Sequence, residues 1–362
     1  METSFEQART LFLEGVAHYQ AGRLEQAERK FAGALSLVPG RPSVLTNLGA
    51  VRLKLGRPED ALEVLEEALQ REPGNAEALG HCGTALAELG RTSEALAHFD
   101  RALAVDATPA ALWTLRGSAL MELGRREEAA ASYREALARG GDAELLRYYL
   151  AALEGASAPQ RPPRQYVERL FDAYAGGFDA HLVQALRYDA PGVLLRRIAQ
   201  QGQRFAQALD LGCGTGLCGP LMRPLAQRLV GVDLSAQMLA KAAAHGVYDE
   251  LQQADVAEFL AASRERYDLV VAADVFIYVG ALDGVFASLA QRMPPGGVFC
   301  FTVEEGEREL ELRPSLRYAH SEAGLRRLGD AHGFRITAIE RRPVREEQRQ
   351  PIPGLFAWMQ KT

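Results

Sequence analysis

Three glycines in the stretch ALDLGCGTGLCGPL, Gly212, Gly214 and Gly216, stand behind an acid, Asp210. Glycine at this density interrupts any helix or strand and leaves backbone N–H groups and bare Cα atoms open to a ligand. Further along, Asp233 ends the apolar run RLVGVD, and Asp255 ends LQQAD with Val256 beside it. An acid at the first of these places can accept from both hydroxyls of a ribose. One at the second can accept from an adenine amino group, so the three features together outline a site for an adenosine. A dinucleotide site would space its glycines G-x-G-x-x-G beneath a pyrophosphate, whereas 212, 214 and 216 give G-x-G-x-G. Asp210 also suits a cationic ligand better than one bearing two phosphates. Structural uses remain open for some of these residues: close helix packing for Gly216, a small filler for Cys213, and a helix cap for Asp274.

Elements must carry these residues. Apolar β segments are read at 207–212, 228–234, 251–255, 267–274, 297–304, 334–340 and 354–361, and Ala- and Leu-rich helical stretches separate the first five. Such alternation builds a mostly parallel sheet covered on both faces, with its ligand at the C-terminal strand ends. The glycine turn is expected to open a helix from about Leu217. Only RRPVREEQRQPIP joins the last two β segments, so the final strand is expected to run antiparallel. Residues 165–200 read as helices leading into the sheet.

The first part of the chain is a repeat. Glycines at 15, 49, 83 and 117 and at 22, 56, 90 and 124 keep a step of 34, as do Ala27, Ala61, Ala95 and Ala129. Phe31, Leu65, Phe99 and Tyr133 follow the same step, then Ala34, Ala68, Ala102 and Ala136. A fixed period in this range signals stacked helical pairs. Small residues let two helices approach, and the larger side chain fills the gap beside them. The second glycine suits the turn between helices, and Pro39 and Pro73 end the second helix of a pair. Residues 8–141 resemble the tetratricopeptide repeat family, with Trp113 at its first aromatic position. Ala107 and Gly141 depart from the closing proline, and residues 142–153 are expected to cap the last apolar face. The resemblance implies an inner groove that docks a protein partner or a second copy of the chain. Arg9, Phe12, Tyr19, Lys54, Glu77, Glu88, Met121 and Glu122 are expected to face inward. Glu77 and His81 stand where a carboxylate clamp would want Lys or Arg. The Pro-rich EGASAPQRPPR sets the boundary, giving a repeat domain over 1–154, a linker over 155–164 and a second domain over 165–362.

DLGCGTG, VGVDLS, QQADV, YDLVVAADVFIYV and PPGGVFCFTVE together make residues 165–362 resemble the class I S-adenosylmethionine-dependent methyltransferases. The implied fold is a seven-stranded Rossmann-like sheet behind a helical solenoid, an α plus α/β chain. By that resemblance Asp210, Gly212, Gly214 and Gly216 surround the methionine and ribose of S-adenosylmethionine. Asp233 takes the ribose hydroxyls, Asp255 and Val256 take the adenine, and Leu234, Met238 and Tyr174 complete the cofactor set. S-adenosylhomocysteine is the implied product, and no metal is expected.

The acceptor residues come from three places. The lead-in YVERLFDAYAGGFDAHLVQALRYDAP supplies Phe178 and His181 beneath a helical lid. Tyr278 comes from the fourth-strand motif, in which Asp274 faces the methyl donor. RYAHSE, expected as a loop opening a helix, supplies Arg317, Tyr318 and His320, with Ser321 as an alternative reading in terms of an N-cap. Asp274, Tyr318 and His320 are the candidate catalytic residues, and Arg317 with Arg345 would suit an acidic group if they converge. The order of these motifs is similar to a bacterial group of methyltransferases with tetratricopeptide repeats. The expected reaction is methyl transfer to a small acidic metabolite, with a protein or carrier-bound substrate, or a non-catalytic binding adaptor, as alternatives.

Composition narrows the partners. A formal charge of −6 gives no basic footprint for nucleic acid. METSFEQARTLFLEG has no apolar signal core, and no apolar run nears the roughly 20 residues that span a bilayer. Cys82, Cys213, Cys218 and Cys300 lack paired ligand spacing, so reduced thiols in a cytoplasmic protein are expected.

Overall fold

In a computed structural model the chain forms two compact units, Met1–Leu153 and Glu154–Thr362. The structure describes residues 2–155, 157–174, 188–347 and 350–362, without the side chains of residues 2, 169 and 172–174.

The first unit is a run of helices: α1 (Glu2–Gln20), α2 (Leu24–Leu37), α3 (Pro42–Lys54), α4 (Pro58–Arg71), α5 (Ala76–Glu88), α6 (Thr92–Val105), α7 (Ala110–Glu122), α8 (Arg126–Ala138) and α9 (Ala143–Glu154). They pack as consecutive pairs, and the repeating glycines explain why. A Cβ on Gly83 would lie 2.5 Å from the Phe99 ring, and one on Gly117 would lie 2.5 Å from the Tyr133 ring. Gly15 and Gly49 meet Phe31 and Leu65 in the same way. Each glycine is thus the socket for one large residue of the next helix. Both Tyr148 and Leu146 of α9 are buried, and the Tyr149 ring stacks on Tyr133 at 4.9 Å, so α9 covers the end of the stack. On the expected inner face, Lys54 lies 4.4 Å from the Tyr19 ring centroid, and His81 lies 3.8 Å from Glu77.

In the second unit α10 (Arg164–Tyr174) and α11 (Ala190–Gln200) precede the sheet. Its strands are β1 (Phe205–Leu211), β2 (Ala226–Asp233), β3 (Glu250–Gln253), β4 (Leu269–Ala272), β5 (Val298–Glu305), β6 (Glu311–Leu312), β7 (Tyr318–His320), β8 (Phe334–Glu347) and β9 (Gln350–Lys361). Between them lie α12 (Gly219–Met222), α13 (Ala236–Ala244), α14 (Val256–Ala262), α15 (Asp283–Arg292) and α16 (Glu322–His332). The order is β3-β2-β1-β4-β5-β7-β6, with β9 antiparallel to β5 and β8 antiparallel to β9. The chain winds outward from β1 through β3 and returns to β4 on the other side of β1, so the switch in strand order falls between β1 and β4. Apolar clusters cover both faces, one built on Phe259, Phe286, Phe299 and Phe301, the other on Leu194, Met222, Cys300 and Trp358.

Four expectations are corrected. Among the described residues the sheet has nine strands, two of which, β6 and β7, are too short to show a periodic pattern. RYAHSE therefore contains a strand before Ser321, whose side chain caps α16 by accepting from Gly324 N–H at 3.1 Å. The helix after the glycine turn is a single turn, since β2 already begins at Ala226. RRPVREEQRQPIP is mostly the far end of the β8–β9 hairpin, with a register shift between Pro343 and Arg345. Finally, the stretch expected as a linker packs on the second unit: Ala281 N–H donates to Gln160 O at 2.9 Å, and Pro163 is buried.

The sockets make a prediction. Gly83→Ala forces its methyl group into the buried Phe99 ring and should lower the stability of the helical unit by about 1–3 kcal/mol. Chemical denaturation of the full chain followed by far-UV circular dichroism would show the loss, and Gly74→Ala, where nothing lies within 4 Å, should not reproduce it.

Candidate active site

The turn after β1 and the residues after β4 border one cavity of about 370 Å³, at the switch in strand order. Its three glycines serve different ends. A Cβ on Gly212, which lines the cavity, would lie 2.6 Å from Val275, and one on Gly216, which does not, would lie 3.0 Å from the Ala242 backbone in α13, so packing requires glycine at both. Gly214 has φ +53° and no atom within 4 Å of a would-be Cβ, and it lines the cavity. There a ligand can meet the backbone directly.

Asp233 is anchored to this turn. Its Oδ2 accepts from Gly214 N–H at 2.8 Å and its Oδ1 from Ser235 N–H at 2.9 Å. Asp255 caps α14, taking the N–H groups of Ala257 and Glu258 at 2.9 and 3.0 Å through Oδ1 alone. Leu234 and Val256 line the cavity beside these acids.

Asp210 and Met238, expected at the cofactor, do not line the cavity. Met238 is fully buried under the Ser235 cap. Asp210 is 1% exposed and accepts from Tyr248 Oη at 2.6 Å. Burial pushes its carboxyl up to about 7, against the pull of the Tyr248 hydrogen bond. It tethers β1 to the segment before β3.

Past β4 the wall is charged. Asp274 holds φ +61°, a left-handed conformation unusual for a non-glycine, with its N–H donating to Thr302 Oγ1 at 2.8 Å. It caps no helix; its carboxylate accepts from Arg345 at 3.0 and 3.2 Å. Arg345, with a side chain 1% exposed, also binds Glu304 and donates from Nε to Glu347 at 2.7 Å. Burial raises the Asp274 carboxyl despite Arg345 beside it. Burial alone would lower the Arg345 guanidinium, but the surrounding carboxylates raise it. Arg317 binds Glu347 and donates from Nε to Tyr278 Oη at 3.2 Å.

The two arginines therefore converge, as the acidic-acceptor expectation required, but on an internal carboxylate. All three nitrogens of Arg345 are engaged by Asp274, Glu304 and Glu347. Arg345 lines the cavity as a hub of its wall, its guanidinium engaged by these three carboxylates. The expectation for Tyr318 and His320 is corrected. Both lie buried in β7, apart from the cavity lining, because parallel pairing with β5 turns them into the core. His320 Nε2 hydrogen-bonds Gly280 O at 2.9 Å, and burial lowers its imidazole to about 4. Phe178 and His181 fall outside the described residues, as does the Tyr174 side chain.

Sequence reading missed Phe171, Tyr188 and Glu347 on the cavity wall. Phe171 meets the Tyr278 ring edge-on at 4.9 Å. Val167, Leu170 and Phe171 carry helical spacing in the lead-in, a signal that was available. Glu347 stood in a stretch without alternation. Among the described residues no group of three His, Cys, Asp or Glu is placed to hold a metal, and no helix is long and apolar enough to cross a membrane.

An open doubly wound sheet, a glycine turn, the acid at the end of β2 and the acid that caps α14 meet at this cavity. Residues 209–299 match the methyltransferase domain family, and residues 18–67, 52–119 and 110–139 match tetratricopeptide repeat families. The chain thus carries a methyltransferase domain behind tetratricopeptide repeats. It is 32% identical over 158 residues to the malonyl-(acyl-carrier protein) O-methyltransferase of Enterobacter lignolyticus, a match spanning 43% of this chain and 61% of that protein. A ubiquinone biosynthesis O-methyltransferase of Chelativorans is 33% identical over 109 residues, 29% of this chain and 43% of its own length. The N-methyltransferase NodS of Bradyrhizobium japonicum, solved with S-adenosylhomocysteine, aligns over 54% of this chain and 97% of its own at 16% identity, TM-score 0.44.

Two predictions test the wall and the tether. Arg345→Met leaves Asp274 buried without its paired cation and Glu304 with Arg313 alone, and should cost about 3–5 kcal/mol in denaturant titrations. Arg317→Gln, on the half-buried side, should cost no more than about 1 kcal/mol. Because the folded Asp210 carboxyl sits near 7 and the unfolded one near 3.8, the folded state binds the extra proton between those values, and stability falls as pH rises through that window. Asp210→Asn removes this cost. Its stability relative to wild type should improve between pH 5 and pH 8 by at least about 1 kcal/mol, the worth of one pKa unit.

Proposed function

We propose that the second unit transfers a methyl group from S-adenosylmethionine to an oxygen of a small acidic acceptor. The observation that carries this reading is one cavity lined both by Gly214, Asp233, Leu234, Asp255 and Val256 and by Phe171, Tyr278 and Arg317. The residues fit the cofactor: Gly214 leaves a cradle with no Cβ in it, the carboxylates of Asp233 and Asp255 line the cavity as acceptors suited to ribose and adenine, and Leu234 and Val256 offer apolar flanks. When bound, S-adenosylmethionine supplies a methyl carbon whose bond to sulfur breaks as the acceptor oxygen bonds to it, the electron pair staying on sulfur.

This chain's residues align and enclose. Alignment alone is worth roughly 7–11 kcal/mol in favourable cases. Phe171 and Tyr278 form an aromatic wall that excludes water, and Arg317 orients the acceptor's anionic group. A carboxylate acceptor has no proton to lose, so its methylation needs no base, which agrees with His320 and Tyr318 lying in the core. Both curated relatives are O-methyltransferases by name, which supports an oxygen acceptor. A second reading, an acid carried on a protein and delivered through the repeats, draws on the repeat unit itself and on the carrier-bound substrate named for the first relative.

Calorimetry with S-adenosylmethionine and S-adenosylhomocysteine tests the centre of the proposal, and failure of the full chain to bind either would overturn it. Asp233→Ala should weaken that binding about 10- to 100-fold, in keeping with loss of hydrogen bonds to a charged group. Removing residues 1–153 should leave methylation of a free acid intact. Loss of turnover with retained cofactor binding would favour the carrier-delivered substrate.

A further inference from the structure

The cavity wall holds a carboxylate where an acidic acceptor would be expected to bind. Glu347 receives Arg345 Nε at 2.7 Å and Arg317 on the same oxygen, Oε1. The three carboxylates on this network are not equivalent. Glu304 and Asp274 are deep, with side chains 2% and 13% exposed, and both neutralise Arg345. Glu347 is 27% exposed and is the carboxylate partner of Arg317 among the described residues. Burial opposes its charged form, but Arg317 and Arg345 prevail and hold it below its ordinary value, so it is an anion at neutral pH.

The two sides of the Arg317–Glu347 pair also differ in how firmly they are placed. Arg317 follows Leu316, which holds φ +61°, and closes a tight turn in which Leu316 N–H donates to Arg313 O at 2.8 Å and Arg313 N–H to Arg317 O at 2.9 Å. The Tyr278 hydroxyl fixes its guanidinium further. Glu347 ends its strand opposite Gln350, where pairing of the β8–β9 hairpin reaches its last register. The arginine is preorganised and the glutamate is the partner that can leave.

Charge balance gives the consequence. The network sets Arg313, Arg317 and Arg345 against Asp274, Glu304 and Glu347, three of each sign, with Arg313 on Glu304 at 2.8 Å. An acceptor carboxylate added to this set would place four anions against three cations in a poorly solvated wall. If Glu347 swings out toward solvent, the incoming carboxylate restores the balance. We infer that Glu347 is an internal stand-in for the acceptor's carboxylate, which acids must displace from Arg317 to bind, and that Glu347 thereby sets which acceptors the site admits. This rests on the acidic-acceptor reading above and names the residue that enforces it. Weakly paired anions cannot compete with the tethered glutamate, whereas a neutral acceptor gains nothing from Arg317.

The test uses the full chain loaded with S-adenosylhomocysteine and titrated with malonate as the carboxylate probe and malonamide as its neutral counterpart. Glu347→Gln should bind malonate about tenfold more tightly than wild type, because the competing anion is gone. Adding Arg317→Gln to that variant should abolish the gain, and malonamide should show none. Retained S-adenosylhomocysteine binding in each variant certifies the fold. Malonate affinity that is unchanged or weaker in Glu347→Gln, no malonate binding by any form, or a gain that survives loss of Arg317 would overturn the inference while leaving the cofactor reading standing. Absence of S-adenosylhomocysteine binding in wild type would sink the cofactor reading, and this inference with it.

Discussion

The site depends on one buried guanidinium. Arg345 binds Asp274 beyond the end of β4, Glu304 at the end of β5 and Glu347 at the end of its own strand. Three elements that would otherwise repel one another through their acids are thereby held at one point. A cation so placed is poor evidence for net stability, since desolvation offsets much of its attraction. Its value lies in geometry. It pairs with the carboxylate of Asp274, whose left-handed backbone donates to Thr302, and it joins the end of β8 to the ends of β4 and β5.

Around that hub the cavity divides its labour by charge and shape. The β1 turn offers backbone without side chains at Gly214, while its neighbours Gly212 and Gly216 let Val275 and α13 close in behind. Asp233 and Asp255 face this region with their accepting capacity partly committed to backbone N–H groups, which fixes their orientation before any ligand arrives. Preorganised acceptors of this kind lose little freedom on binding. The wall past β4 is different in kind: cations and anions hold one another there, and the Arg317–Glu347 pair is its more exposed part.

The two units follow separate physical rules. The helical repeats are held by a local device used four times, a glycine socket in one helix for a large side chain in the next. Each socket joins residues 16 apart, as in Gly83 and Phe99, so the array needs no distant contact to form. The sheet is built from distant pairings, β1 with β4 and β5 with β9, and its site exists only once those strands have met.

Local chemistry settled what was legible in advance. The 34-residue step displayed the helical unit because every repeat obeys the same packing constraint, and the apolar β segments displayed the sheet because both of its faces are buried. Gly214, Asp233, Asp255 and Val256 were readable because turn and strand-end positions follow from the chain itself. What faces what was not. Asp210 turned into the core, since β1 is central and Tyr248 supplies a partner. Tyr318 and His320 went inward because a three-residue strand, invisible as a pattern, pairs with β5. Arg345 and Glu347 reached the cavity because an arginine- and proline-rich stretch continues the hairpin as an edge strand, where alternation is not required. The sequence alone determined the two kinds of unit and the glycine turn that lines the cavity. Only the tertiary structure decided which charges meet, because long-range strand pairing places side chains from distant segments around one buried arginine.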